Sequence, residues 1–165
     1  GLYIIARGSV NVKDGDHTLE VLGKGDAIGE ITYFTKEESA FTVVAESPAT
    51  ILWVSLNNID KMIATDPELK SMLMKHASGR LAVRLLSTHE KYRHMDDRQL
   101  RSVGEKGTMI EVKKGKLYSV PEGKTSALIS GKVVSSQNDK LVISTPKALT
   151  FKEVKALQDA WVIEI

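Results

Sequence analysis

Gly25-Asp26-Ala27-Ile28-Gly29-Glu30-Ile31 is the stretch whose reading decides the fold. It begins in a turn, Gly23-Lys24-Gly25-Asp26. Before that turn, Thr18-Leu19-Glu20-Val21-Leu22 alternates apolar and polar residues with period two, as a half-buried strand does. Further out, Leu2-Tyr3-Ile4-Ile5 and Val10-Asn11-Val12 are rich in strand formers and flank Arg7-Gly8. Lys13-Asp14-Gly15-Asp16 carries the Asp-Gly pair favoured in tight hairpins. Downstream, Thr42-Val43-Val44-Ala45 and Thr50-Ile51-Leu52-Trp53-Val54 read as two strands separated by Glu46-Ser47-Pro48-Ala49. Short strands at this spacing, with Gly and Pro turns, predict a sandwich or barrel.

The period changes after Ser55. Leu56, Ile59, Met62 and Ile63 fall at helical spacing. Asp66-Pro67 reads as a helix start, with Asp able to cap and Pro suited to the first helical position. Leu69, Met72, Leu73, His76, Ala77, Leu81 and Leu85 trace one face of a long helix that the spacing carries to about Tyr92. Residues 89–101 are polar and read either as the end of that helix plus a connector or as a short second helix. Strand candidates return at 108–112, 116–120, 126–129, 132–134, 141–143 and 160–165, punctuated by Gly115, Pro121-Glu122-Gly123, Gly131 and Asn138-Asp139.

With Gly8, Gly25-Asp26, Gly29-Glu30, the strand at 43–45 and Asp66-Pro67 in place, residues 1–86 resemble the cyclic-nucleotide-binding domain family. Arg80-Leu81 adds to the match, in a segment that in the family is the C-terminal helix beside the pocket. The resemblance implies a mainly β fold with helices: a jelly-roll (double-stranded β-helix, cupin-like) barrel, a helical segment, then a second, shortened β-barrel. It implies a first barrel at 1–55 that lacks its opening strands, helices at 56–104 and the second barrel at 105–165. In the family a Gly-Glu pair is followed by a helical turn and then Pro-Arg-Ala, whose arginine holds the cyclic phosphate. Here Ser39 stands where the arginine is expected and Glu38 where the proline is.

The ligand-binding set implied by the resemblance is Gly29, Glu30, Ile31, Ser39, Ala40 and Thr42. Gly29, without a side chain, lets backbone approach a ligand. Glu30 would accept from a ribose hydroxyl, and Ser39 and Ala40 would each offer an N–H. Serine cannot replace a guanidinium, which supplies charge and a fixed fork for two phosphate oxygens. Each lost hydrogen bond to a charged group removes roughly 1.5–3 kcal/mol, about one to two decades of affinity. Glu37 and Glu38 worsen the position for a phosphate, and Phe41 stands where the family has a small residue, so it is expected to fill part of the cavity.

The two halves also align with each other. Ile5-Ala6-Arg7-Gly8-Ser9-Val10 lies over Leu128-Ile129-Ser130-Gly131-Lys132-Val133, and the run from Val44 to Val54 over the tail from Ala156 to Val162. Val112-Lys113-Lys114-Gly115 with Leu117-Tyr118 and Glu122-Gly123 resembles the opening strands of the family, which the first half lacks. The second half has no Gly-Glu cassette; Thr145-Pro146-Lys147-Ala148-Leu149-Thr150-Phe151 occupies that stretch. Two explanations stand: an internal duplication, or two antiparallel barrels with similar turn chemistry. A barrel short of two strands exposes sheet edges that tend to pair, so the first is expected to be completed by its own second half or by another copy.

Composition narrows the function. The 165 residues carry 23 Lys and Arg against 21 Asp and Glu, a net charge of +2, with no case for nucleic acid. There are no cysteines, which excludes disulfides, thiolate metal sites and cysteine nucleophiles and fits a reducing compartment. No apolar run nears the roughly 18 residues that span a bilayer, and no signal peptide is visible. A start at Gly1 inside a strand reads as a piece cut from a longer protein. His17, His76, His89 and His94 share no metal-ligating spacing. No Gly-x-Ser-x-Gly nucleophile motif occurs. Arg80, Arg84, Lys91, Arg93, Arg98 and Arg101 read as a solvated basic face, or as contact with an acidic partner or membrane surface. Trp53 and Trp161, at strand ends, read as core residues.

The function expected from this reading is regulatory, not enzymatic. It is a cytoplasmic sensor domain of a larger intracellular protein, such as a cation transporter or channel tail, for signal transduction or ion transport. Canonical cyclic-nucleotide binding is not expected, since Ser39 replaces the phosphate arginine. The alternatives are a ligand-free interaction or oligomerisation scaffold, and a weak cAMP or cGMP sensor. No cofactor, metal or nucleic-acid partner is expected. The implied partners are a small-molecule ligand, a second copy of the chain or other parent domains, with a membrane only through the parent.

Overall fold

The computed structural model describes residues 1–39, 41–144 and 146–165. It divides into two compact units, Gly1–His76 and Ala77–Ile165.

In the first unit, β1 (Leu2–Arg7) pairs antiparallel with β4 (Ala27–Ile28) and β6 (Thr50–Val54). β2 (Val10–Asp14) pairs with β3 (His17–Leu22) and β5 (Thr42–Ala45). Two three-stranded sheets result, ordered β4-β1-β6 and β3-β2-β5. The Asp-Gly turn joins β2 to β3, with Asp14 opposite His17. Ile5, Val10, Val12 and Leu22 form the enclosed core, with Ile28, Phe41 and Ala49 packed against it. Helix α1 (Glu30–Thr35) lies between β4 and β5 in the chain. Helix α2 (Leu56–Thr65) starts where Ser55 accepts from the Asn58 N–H, 3.4 Å away, and it buries Ile59. Helix α3 (Pro67–Leu86) begins at the anticipated proline, and Asp66 accepts from the Glu68 N–H at 3.0 Å.

In the second unit, α4 (Asp97–Glu105) opens with a capping box. Asp96 accepts from the Gln99 N–H at 2.8 Å, and the Gln99 side chain accepts from the Asp96 N–H at 2.9 Å. Eight strands follow: β7 (Thr108–Val112), β8 (Leu117–Ser119), β9 (Ser126–Ser130), β10 (Val133–Ser135), β11 (Asn138–Ile143), β12 (Lys147–Ala148), β13 (Glu153–Ala156) and β14 (Ala160–Glu164). They form two four-stranded sheets, β12-β9-β14-β7 and β11-β10-β13-β8. Leu128, Val133, Val154, Ala156, Ala160 and Val162 are fully enclosed at the centre.

The pairing pattern occurs twice. β9 joins β12 and β14 as β1 joins β4 and β6, and β10 joins β11 and β13 as β2 joins β3 and β5. With Ile5–Val10 laid over Leu128–Val133, the register corrects the second alignment: Val10 faces Ala45 as Val133 faces Ala156, and Ile5 faces Ile51 as Leu128 faces Val162, so Ala45–Ile51, not Val44–Val54, corresponds to Ala156–Val162. Gly8 and Gly131 share a left-handed conformation, φ 83° and 88°. At Gly131 a Cβ would lie 2.5 Å from the Asp159 carbonyl oxygen, and at Gly8 it would run into that of Pro48. Only glycine fits either turn. The difference between the units is the pair β7 and β8. β7 covers the edge of β14 and β8 that of β13. Among the described residues, β5 and β6 are sheet edges.

Several expectations are corrected. Helix α3 stops at Leu86, short of Tyr92. A chain of single turns follows, with His89 N–H donating to Leu86, Tyr92 to His89 and Met95 to Tyr92. Tyr92 is buried and bonds the Thr125 hydroxyl at 3.2 Å, so its apolar spacing reflects a tertiary contact. Trp53 is 63% exposed, because it stands on the edge strand β6, and Trp161 is partly exposed. Arg80 is buried, so the solvated face does not include it, whereas Lys91, Arg93 and Arg98 are exposed. β12 and β13 were not anticipated. β12 has two residues and β13 only two apolar ones.

Candidate functional site

The cassette is placed by the register of β1 and β4. Tyr3 stands opposite Ile28 and Ile4 opposite Ala27. The preceding turn is tied by Ile5 N–H to the Asp26 carbonyl at 2.9 Å and Gly25 N–H to the Ile5 carbonyl at 2.8 Å. Gly29 then caps α1 at φ 103°, and a Cβ on it would lie 2.5 Å from the Gly1 carbonyl oxygen. Glycine is needed there both for the backbone angle and for the close approach to β1. The six-residue helix ends at Lys36, itself left-handed at φ 61°. Its ammonium lies 4.6 Å over the Tyr33 ring, a cation–π contact. The Tyr33 hydroxyl donates to Asp60 Oδ1 at 2.6 Å and so ties α1 to α2. Burial, with the hydrogen bond and charge of Asp60, pushes the Tyr33 phenol up to about 12.

A cavity of about 410 Å³ adjoins this cassette. Its wall consists of Gly1 and Tyr3, Ile28 and Gly29, Thr32 of α1, Ser39 and Phe41 after α1, Val43 of β5 and Ile51 of β6. Of the residues singled out in the sequence, Gly29 and Ser39 stand in this wall. Glu30 is enclosed, 1% exposed, and lies outside it, as do Ile31 on α1 and the exposed Thr42 at the start of β5. Ala40 lies outside the described residues. Tyr3, Thr32, Val43 and Ile51 were not anticipated. Strand register brings Tyr3, Val43 and Ile51 to the cassette, whereas Thr32 stands on α1 directly after it.

The chemistry of the wall is apolar with hydroxyls. Among the described residues, no lysine or arginine side chain lines it. The Ser39 hydroxyl is engaged with backbone, donating to the Phe41 carbonyl at 2.9 Å and accepting from the Phe41 N–H at 3.1 Å. Glu37 and Glu38 are exposed beside it. Phe41 both faces the cavity and packs on the core of the unit.

The second unit differs. Its barrel is filled by its own side chains, with Leu149 and Phe151 packed onto the core from the stretch that replaces the cassette. Residues 149–152 make the connection that residues 29–41 make in the first unit, with no helical turn. The Tyr118 hydroxyl bonds Ser126 Oγ and Glu164 Oε1, each at 2.8 Å. Burial is the main cause that raises the Tyr118 phenol above its ordinary range. The Ser126 bond opposes the rise and Glu164 adds to it.

Residues 1–66 match the family described as Cyclic nucleotide-binding domain. The match covers residues 1–66 of the 165 and so lies within the first unit. No curated protein matches the chain by sequence. Among solved structures, cAMP-bound PfPKA-R is 17% identical over 99% of this chain and 62% of its own, with a TM-score of 0.38. The regulatory subunit of a cAMP-independent protein kinase A from Trypanosoma brucei is 14% identical over 99% and 63%, with a TM-score of 0.39. The sensor domain of the transcriptional regulator DNR from Pseudomonas aeruginosa is 16% identical over 52% and 71%, with a TM-score of 0.40. The chain thus spans less than two thirds of the length of the first two. The mainly β fold of two jelly-roll sheet pairs agrees with that match. Among the described residues, no helix is long and apolar enough to cross a membrane.

Proposed function

We propose that the first unit is a non-catalytic regulatory domain whose cavity does not hold cyclic nucleotides through the phosphate contact of the family it matches. The supporting observation is Ser39. It stands in the cavity wall at the arginine's expected place, with its hydroxyl committed to the backbone of Phe41. An anionic phosphate moved into this wall loses water and meets no guanidinium in return. Tyr3 and Thr32 add hydroxyls to a surface otherwise made of Ile28, Phe41, Val43 and Ile51. Such a wall suits a ligand that is uncharged or less anionic than a cyclic nucleotide. Gly29, Ser39 and Thr32 form the polar side of this site. Glu30, Ile31 and Thr42 support the cassette around it. A ligand there regulates only if it binds two arrangements of the domain with different affinity. Attachment to a cation transporter or channel remains a proposal from the sequence alone.

The test is a titration of the Ser39→Arg variant with cyclic AMP and cyclic GMP beside the unaltered chain. Restoring the guanidinium is expected to raise affinity at least about tenfold, the value of one charge-assisted bond. No gain would mean that the cavity does not admit a nucleotide. The scaffold reading, favoured by the exposed Val44, Leu52 and Trp53, would then stand, and with it indifference to Glu30→Ala.

A further inference from the structure

The second unit has a cavity of its own, of about 480 Å³, with a charged wall. Arg84 in the last turn of α3 and Lys147 of β12 both stand in it, brought together from segments far apart in the chain. Pairing with β9 sets Lys147 opposite Leu128. The Leu149 N–H then fixes the strand end by donating to the Ser126 carbonyl at 2.7 Å. Just past α3, the exposed Thr88 adds a hydroxyl to the wall and His89 an imidazole. His89 Nδ1 accepts from the Lys91 N–H at 3.2 Å, which assigns the proton of the neutral ring to Nε2. That ring lies 5.5 Å from the ring of Tyr92, itself buried and bonded to Thr125. Among the described residues, Glu90 is the one carboxylate in the wall, and Leu85, Pro146 and Ala148 complete it with apolar surface.

This cavity is not the counterpart of the one beside the cassette. With Ala127 in the place of Ile4, Ala148 corresponds to Ala27, whereas the first cavity is walled by Ile28 and Gly29. We propose that the cavity of the second unit is a binding site for a small organic phosphate monoester. Two cations against one carboxylate leave a positive wall, matched to a group that carries about −1.5 to −2 charges near neutral pH. Arg84 and Lys147 supply charge-assisted bonds, and the Thr88 hydroxyl and His89 Nε2–H add neutral donors. A phosphate offers these donors three oxygens and a carboxylate only two. The volume falls within the roughly 300–1,000 Å³ of small-molecule pockets. It leaves room beyond the phosphate for an organic body against Leu85, Pro146 and Ala148. The site does not depend on which ligand the first cavity takes.

The test is an amide chemical-shift titration of the full chain with phenyl phosphate, inorganic phosphate and benzoate, each to millimolar concentration. Phenyl phosphate is expected to give saturable shifts at Thr88, His89, Lys147 and Ala148, and to bind at least about tenfold more tightly than the other two. Arg84→Gln and Lys147→Gln should each weaken it about tenfold or more, the value of one charge-assisted bond. Lys147 is exposed, so its variant tests the contact without disturbing the core. Glu90→Gln should tighten binding, a gain that unfolding cannot mimic. No saturable shift at these amides would overturn the proposal. So would benzoate or inorganic phosphate binding as tightly as phenyl phosphate, or an affinity that neither Lys147→Gln nor Glu90→Gln changes.

Discussion

Val43 and Val154 hold the same place in their sheets, opposite Val12 and Ser135 respectively, yet Val43 is 37% exposed and Val154 is fully enclosed. Identical residues on matching strands therefore carry different energetic weight. Truncating Val154 to Ala removes buried methyl groups, at about 0.8 kcal/mol per buried methylene, and leaves a cavity. The expected cost is about 2 kcal/mol in denaturant unfolding, against less than about 0.5 kcal/mol for Val43→Ala. Equal losses would mean that β5 is covered in solution.

Gly29 and Gly115 separate two reasons for a glycine. Both have positive φ, 103° and 81°, but only Gly29 has backbone where a Cβ would go, with open space at Gly115. Gly115→Ala should cost roughly 1–2 kcal/mol for the left-handed conformation alone. Gly29→Ala should cost more and should also displace α1 from β1. Thermal unfolding of the two variants measures the difference. A Gly29→Ala protein no less stable than Gly115→Ala would contradict the close approach.

Tyr33 makes the tie between α1 and α2 sensitive to alkali. Its phenol is raised to about 12 in the folded chain, against about 10 when unfolded, so folding favours the protonated form. The contribution is fully present below pH 10 and is lost as the pH rises from about 10 to 12. Phenolate absorbance should show two late-titrating tyrosines, Tyr33 and Tyr118, of which Tyr33→Phe removes one. A normal titration would mean that the Asp60 bond is not made.

Much of this architecture is legible in the sequence because its turns demand particular residues. Gly8, Asp14-Gly15, Gly25-Asp26 and Gly131 mark strand ends that the structure confirms. Asp66-Pro67 marks a helix start. The end of α3 is not legible, since no glycine or proline follows Leu86 and Tyr92 continues the apolar spacing from a turn. Asp96 and Gln99 did carry a capping signal for α4. Trp53 misleads because burial of a strand residue depends on its neighbouring strand, which local sequence does not contain. The same holds for the cavity. Gly29 and Ser39 are near each other in sequence, whereas Tyr3, Val43 and Ile51 reach it through register alone.

The most direct measurement is isothermal titration of the unaltered chain with cyclic AMP and cyclic GMP up to millimolar ligand. A cavity whose wall offers Ser39, bonded to Phe41, in place of a guanidinium should give no heat of binding. Micromolar binding would contradict the account and would mean that a cation from elsewhere replaces the missing arginine.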